Sequence, residues 1–352
     1  MLKVVNGQKA QLGEFPYAAH VFLRGRTVCG GTLISDRHIL TAAHCVLRIP
    51  PSTSKRPPTV QPANRFTVTL GRLANDTTGQ IGVSRIKVDT FNTLTSENDL
   101  AVLELVRPVR FTASVRPARI APSLIDPSGG SPFSNAMRQG ALPPSSPLPP
   151  SSHQLLAYGW GRNASFVPTT ELRWVSMVFG DEKMCQATSP EYVSPRSGPF
   201  ICVAGARRNT GVCAGDSGGP LMWRPITAGV DANDAQGTPI VAASDDEPRV
   251  LGVLSFGGST VPLPPSACAS SGLMQFFIRV ANRMDFLTSA TGMSADALVY
   301  GGNAIRLDED LNEAPQTIAA ASSSAVDRMV GMWMSAIAAA VAAAAASSLL
   351  SQ

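Results

Sequence analysis

Short runs in which apolar and polar residues alternate, each closed by Gly, Pro or Ser, recur along most of this chain: YAAHVFL (17–23), RFTVTL (65–70), DLAVLEL (99–105), HQLLAYGW (153–160) and RVLGVLSF (249–256). Alternation puts successive side chains on opposite faces of a β-strand. No long amphipathic helix interrupts the series, so the spacing predicts an all-β barrel architecture rather than an α/β fold. The 30 glycines and 28 prolines supply the turn chemistry that many short strands require. A length of 352 residues suits two compact units and a tail.

Composition also marks the joints. Proline-rich stretches at about 49–64 and 122–152, and a polar, Asp- and Ala-rich stretch at about 224–248, read as loop insertions. ANRMDFL (281–287) reads as a short closing helix, after which small and polar residues take over and the folded part is expected to end near 290. Net charge is only +4, too weak and too scattered to argue for nucleic acid. Six widely spaced cysteines, with no CxxC pair, favour disulfides over zinc and hence an oxidising, secreted setting. No signal peptide is visible before VVNG. The disulfide argument favours a true start upstream over another route of export.

Three polar residues stand in chemically suggestive surroundings. TAAHC puts His44 beside Cys45, which could anchor the backbone presenting the imidazole. A lone histidine is more often structural or surface, as read for His20, His38 and His153. Asp99 heads an apolar strand, where a carboxylate needs a partner or must cap a turn. Ser217 lies in GDSGGP, whose glycines let the backbone fold tightly and aim two N–H groups at one point, as an oxyanion needs.

The order His44, Asp99, Ser217, within TAAHC, NDLAVLEL and GDSGGP, resembles the chymotrypsin-like (trypsin-fold) serine proteases, as do CGGTLIS (29–35), YGWG (158–161) and SFG (255–257). The resemblance covers about residues 4–288. It implies two six-stranded antiparallel β-barrels with a short C-terminal helix, the barrels falling at roughly 4–121 and 153–288. It also implies the pairs Cys29–Cys45, Cys185–Cys202 and Cys213–Cys268. Ser217 is then the nucleophile, His44 its base and Asp99 the orienting acid, as in the family's own triad. The amides of Gly215 and Ser217 form the oxyanion hole. Gly211 and Val212 line the specificity pocket, Gln275 narrows it, and Ser255, Phe256 and Gly257 pair with substrate backbone. No cofactor is implied, and LGRLANDTTGQ lacks the glutamates of a calcium loop, so no metal is expected.

VVNG resembles a mature N-terminus. Residues 1–3 are then a propeptide remnant or the start of the reading frame, and cleavage after Lys3 would free the Val4 ammonium to pair with Asp216. Where trypsin-type members carry an aspartate, Gly211 carries no charge, so a basic side chain would go unpaired. The expected substrates are polypeptides cut after small or medium uncharged residues by a monomeric, secreted enzyme that another protease activates. The alternative is a catalytically silent binding or regulatory module, although such modules usually lack a triad member. Asn75 and Asn163 sit in glycosylation sequons. Residues 289–328 read as a linker. The apolar tail 329–352 reads as an Ala-rich extension, a glycolipid-anchor signal or a weak transmembrane helix that would attach the protein to a membrane.

Overall fold

The structure is a computed structural model that describes residues 4–51, 54, 56–122, 153–162, 167, 169–193, 198–225, 247–261, 268–270 and 272–301. The linker beyond 301, the tail 329–352, Asn163 and most of the 122–152 and 224–248 insertions lie outside the described residues.

After the two-residue β1 (Gln8–Lys9), the chain lays down β2 (Ala18–Leu23), β3 (Arg26–Leu33) and β4 (His38–Thr41). A small ribbon, β5 (Leu47–Arg48) with β6 (Thr59–Val60), precedes β7 (Phe66–Leu70), β8 (Ile81–Val88) and β9 (Ala101–Leu105). The order β2-β3-β4-β9-β8-β7 closes an antiparallel barrel. Val21, Leu33, Ile39, Phe66, Val68 and Leu103 are buried in its core.

A connecting strand, β10 (Arg119–Ile120), leads to β11 (His153–Gly159), β12 (Arg173–Phe179), helix α1 (Glu182–Thr188), β13 (Phe200–Gly205), β14 (Pro220–Pro225), β15 (Arg249–Gly258) and β16 (Met274–Arg279). Their pairings run β12-β11-β14-β15-β16-β13 and return from β13 to β12, a second closed six-stranded antiparallel barrel. The two barrels expected from the resemblance are therefore present, with β1 and β10 added to the outside of the second.

Between the barrels runs an aromatic seam. Phe15 packs 5.0 Å from Tyr158 and 6.3 Å from Trp174, and Tyr17 lies 5.9 Å from Tyr158. His20 of β2 stacks on Trp160 at 4.4 Å with the rings parallel, and Phe22 closes its side at 4.3 Å. Such ring pairs add about 0.5–1.5 kcal/mol beyond the area they bury. Helix α2 (Met284–Thr291) ends at Gly292, whose φ of 71° makes the left-handed cap that stops a helix. Just before it, Arg283 grips Asp89 of the first barrel through Nε and Nη2, both at 2.7 Å.

Three local features depart from the sequence reading. The 49–64 stretch contains the β6 half of a strand ribbon. Helix α1 is an added element, started by Asp181, whose carboxylate accepts from Met184 N at 3.0 Å. Structure also continues past 290: Leu298 and Val299 are buried, and Arg249 Nη1 donates to Val299 O at 2.7 Å.

Candidate active site

The first barrel contributes an imidazole and a carboxylate. β4 ends in a tight turn over Ala43–Cys45, with Ala42 and Ala43 fully buried, and the Cys29–Cys45 disulfide ties that turn to β3. Small alanines let the turn sink into the barrel rim, which leaves His44 half-exposed. On the approach to β9, Ser96 and Asn98 take positive φ values of 60° and 58°, turning the backbone so that Asp99 points inward. The Asp99 side chain is 2% exposed. Its Oδ1 accepts from His44 N at 2.8 Å, and its Oδ2 accepts from His44 Nδ1 at 2.7 Å and Ser255 Oγ at 2.5 Å. Three donors compensate one buried carboxylate. A carboxylate against Nδ1 favours the ring proton there, which puts the lone pair on Nε2.

Ser255 is the residue whose side chain the sequence reading missed. Grouped there with Phe256 and Gly257 as substrate-pairing backbone, it sits where the β15–β16 register shifts between Leu254 and Phe256. A bulge re-aims a side chain, here from the second barrel onto the acid of the first. Gly257 is exposed, whereas the Phe256 ring stacks on Phe276 at 4.6 Å.

Ser217 is half-buried in the turn between Val212 and β14. Its carbonyl accepts from Gly30 N at 2.8 Å, the carbonyl of Gly30 accepts from Thr41 Oγ1 at 2.8 Å, and Gly218 N donates to Leu254 O at 2.9 Å. Through Gly30, the serine's backbone is strapped to the residue next to Cys29, and through the disulfide to the neighbour of His44. No hydrogen bond from Ser217 Oγ to His44 Nε2 is formed among the described residues; in resting sites such contacts often tighten only with substrate. Gly215 adopts a φ of 97°, which suits glycine alone. Among the described residues, the amides of Gly215 and Ser217 donate to no protein acceptor.

Between them, Asp216 is fully buried, and its carboxylate accepts from Gly161 N at 2.7 Å and Cys213 N at 2.8 Å. A Cβ on Gly159 or Gly161 would collide with that carboxylate, which explains the glycines of YGWG. Desolvation pushes the Asp216 pKa up to about 7, and the two amides only partly counter it. Val4 is buried at the start of the chain with a φ of 37°, a costly conformation for a β-branched residue that its surroundings must enforce. While Lys3 is attached, its nitrogen is an amide. No ion pair to Asp216 is present among the described residues.

Val5 bridges Gly211 and packs against the Cys213–Cys268 disulfide. Gln275 is 2% exposed, its Nε2 donates to Val212 O at 3.4 Å, and a Cβ on Gly211 would lie 2.5 Å from that nitrogen. Gln275 Oε1 has no partner among the described residues. The third disulfide, Cys185–Cys202, joins α1 to β13.

Other candidates resolve differently. Cys29, His44 and Cys45 cluster closely enough to suggest a metal site, but both sulfurs are spent in the disulfide, so no thiolate is on offer. His20 is a core residue. Desolvation lowers its pKa to about 3. His38 is half-buried, with Nδ1 2.8 Å from Ser35 Oγ. The Asn75 carboxamide bridges two loops, accepting from Thr27 Oγ1 at 2.9 Å and donating Nδ2 to Thr169 O at 2.7 Å, so the folded chain does not present that nitrogen freely for glycosylation.

Comparison with known proteins agrees with this geometry. The Trypsin family model matches residues 4–131 and 123–287. The proclotting enzyme of Tachypleus tridentatus is 25% identical over 297 residues, covering 81% of this chain; the chain spans 65% of that relative's length. Phenoloxidase-activating factor 3 of Holotrichia diomphalia is 24% identical over 313 residues, covering 81% of this chain and 71% of that protein. Cathepsin G of Mus musculus is 27% identical over 236 residues, 65% of this chain and 75% of its own. With its two closed barrels and a family match running from Val4 to Leu287, this chain belongs to the trypsin family of chymotrypsin-like serine proteases.

Proposed function

We propose that the chain is a serine endopeptidase that cuts polypeptides after small or medium uncharged residues once Val4 has been exposed. The observation that carries this reading is the Asp99 carboxylate, buried yet bonded to His44 Nδ1 and Ser255 Oγ. In the proposed reaction His44 Nε2 takes the proton of Ser217 Oγ as the oxygen attacks the scissile carbonyl. It then delivers that proton to the leaving amine, and water resolves the acyl-enzyme by the same route. Asp99 stabilises the imidazolium, while the amides of Gly215 and Ser217 receive the oxyanion.

Gly211 supports the specificity. It offers no charge to a Lys or Arg side chain, and the Gln275 amide occupies the space beside it. Three disulfides support export to an oxidising compartment. Because a lysine precedes Val4 and the pocket suits uncharged residues, another protease is the proposed activator.

Labelling by a fluorophosphonate probe tests the reading. Protein beginning at Val4 should label, and Ser217→Ala should not. An unlabelled wild-type chain with a free Val4 would instead identify a silent binding module. Preferred cleavage after Arg or Lys in a peptide library would remove the specificity proposal and leave the peptidase standing.

A further inference from the structure

Asn75 sits in a glycosylation sequon, yet both ends of its carboxamide are already spent inside the fold. The stretch 73–75 lies between β7 and β8 of the first barrel and runs antiparallel to 170–172, which lead into β12 of the second. Ala74 bridges Glu171, Asn75 N donates to Thr170 O at 2.9 Å, and Leu172 N donates to Leu73 O at 2.7 Å. Leu73 O also accepts from Trp160 Nε1 at 2.9 Å. Asn75 ties a further strand into this junction: its Oδ1 accepts from Thr27 Oγ1 of β3 at 2.9 Å, and its Nδ2 donates to Thr169 O at 2.7 Å.

Thr169 is the next link. It is 1% exposed, and its Oγ1 has no partner among the described residues, so its polar contacts are those of its backbone. Thr169 N donates to Gly161 O at 3.2 Å, Gly161 N donates to Asp216 Oδ1 at 2.7 Å, and Arg162 N donates to Ala214 O at 2.8 Å. Gly215 lies so near that a Cβ on it would meet Gly161 Cα at 3.1 Å. Gly161 is thus held by Thr169 on one side and backs the turn that carries Ser217 on the other. A buried carbonyl that loses its donor needs water or another partner, and Thr169 would have to move to find one.

We propose that Asn75 is a positioning residue for the oxyanion turn: its carboxamide, reaching over from the first barrel, holds Thr169 and through it Gly161 against Asp216 and Gly215. The effect on catalysis rests on the peptidase reading, but the link from Asn75 to Gly161 does not.

Two full-length variants separate the carboxamide from the sequon. Thr77→Ala removes the sequon and leaves the carboxamide; Asn75→Asp removes both the sequon and the donor to Thr169 O, while keeping an acceptor for Thr27. In Asn75→Asp, hydrogen exchange at the amides of Gly161 and Thr169 should speed up about tenfold or more, with protection in β9 retained as the sign of a folded protein. Once Val4 is exposed, the same variant should hydrolyse a short peptide with kcat lowered about tenfold and KM unchanged. Thr77→Ala should match wild type in both measurements. Unchanged exchange at Gly161 and Thr169 in Asn75→Asp would overturn the link, and a raised KM with unchanged kcat would overturn the positioning role. Equal losses in Thr77→Ala would assign the effect to a glycan and also overturn the proposal. If wild type beginning at Val4 hydrolyses nothing, the peptidase reading falls and the exchange rates still decide the link. Should Asn75→Asp not fold, Thr27→Val, which frees the Oδ1 end alone, carries the same test with a smaller change of the same sign.

Discussion

Asp99 and Asp216 are both closed off from water, at 1% and 0% exposure, yet their surroundings differ. Asp99 receives a ring N–H, a hydroxyl and a backbone amide, from both barrels. Asp216 receives two backbone amides and has no cation beside it among the described residues, so desolvation dominates and its pKa rises to about 7. The acid of the His44 half thus already has its donors. The Ser217 half surrounds a carboxylate that lacks a positive partner among those residues, and a Val4 ammonium is the partner proposed.

Removing the charge of the His44 half should have the largest effect. By the precedent of the family's own triad, Asp99→Asn should lower kcat about 10⁴-fold while the fold persists, because the amide can hold His44 in the wrong tautomer. A loss of less than tenfold in peptide hydrolysis would break the assignment of Asp99 as the orienting acid.

For the Ser217 half, the intact chain is compared with protein beginning at Val4. The Asp216 pKa is raised above its ordinary value of 3.8, so its contribution to stability is fully present below pH 3.8 and is lost as pH rises through about 7. On the order of 4 kcal/mol is at stake across that window. Denaturant titrations from pH 4 to 8 should show this loss in the intact chain and a much smaller one once Val4 is free. Fluorophosphonate labelling should speed up about 10²-fold or more on the same cleavage, through ordering of the oxyanion donors. Parallel pH profiles for the two forms would show that Val4 does not partner Asp216.

His20 supplies a limb of opposite sign. Its pKa falls from 6.5 to about 3 in the fold, so the stabilisation is complete above 6.5 and is lost as pH drops toward 3. Asp76 is the charge whose field reaches the ring, and it is held by Arg72. At pH 5 the loss should be about 2 kcal/mol. His20→Phe, which keeps a ring against Trp160, should flatten the acid side of the profile. The smallest expected change concerns the pocket: Gln275→Gly should raise kcat/KM for Phe and Tyr substrates about tenfold relative to small residues, read from competing peptides.

Much of the site was legible because its signals are local. GDSGGP, TAAHC and YGWG are contiguous backbone devices, and the glycines of YGWG can be explained once the Asp216 carboxylate is seen against them. The three cysteine pairs implied by the family likeness are formed in the structure. Strand alternation likewise pointed to β structure, since a period of two reflects burial on one face. It was less informative where strands are buried on both faces, as in Ala18–Leu23, whose first five residues are all inside.

What the linear chain determined by itself was the all-β class, the turn chemistry and which residues could carry a reaction, because those follow from periodicity and from short-range backbone geometry. The tertiary structure decided the partners. Ser255 reaches Asp99 across 156 residues, His20 meets Trp160 across the barrel seam, Asn75 spends its carboxamide on Thr27 and Thr169, and residues 297–301 fold back on Arg249 and Arg119. Each of these depends on closing two barrels and packing them together, and desolvation then determines what each polar group must find.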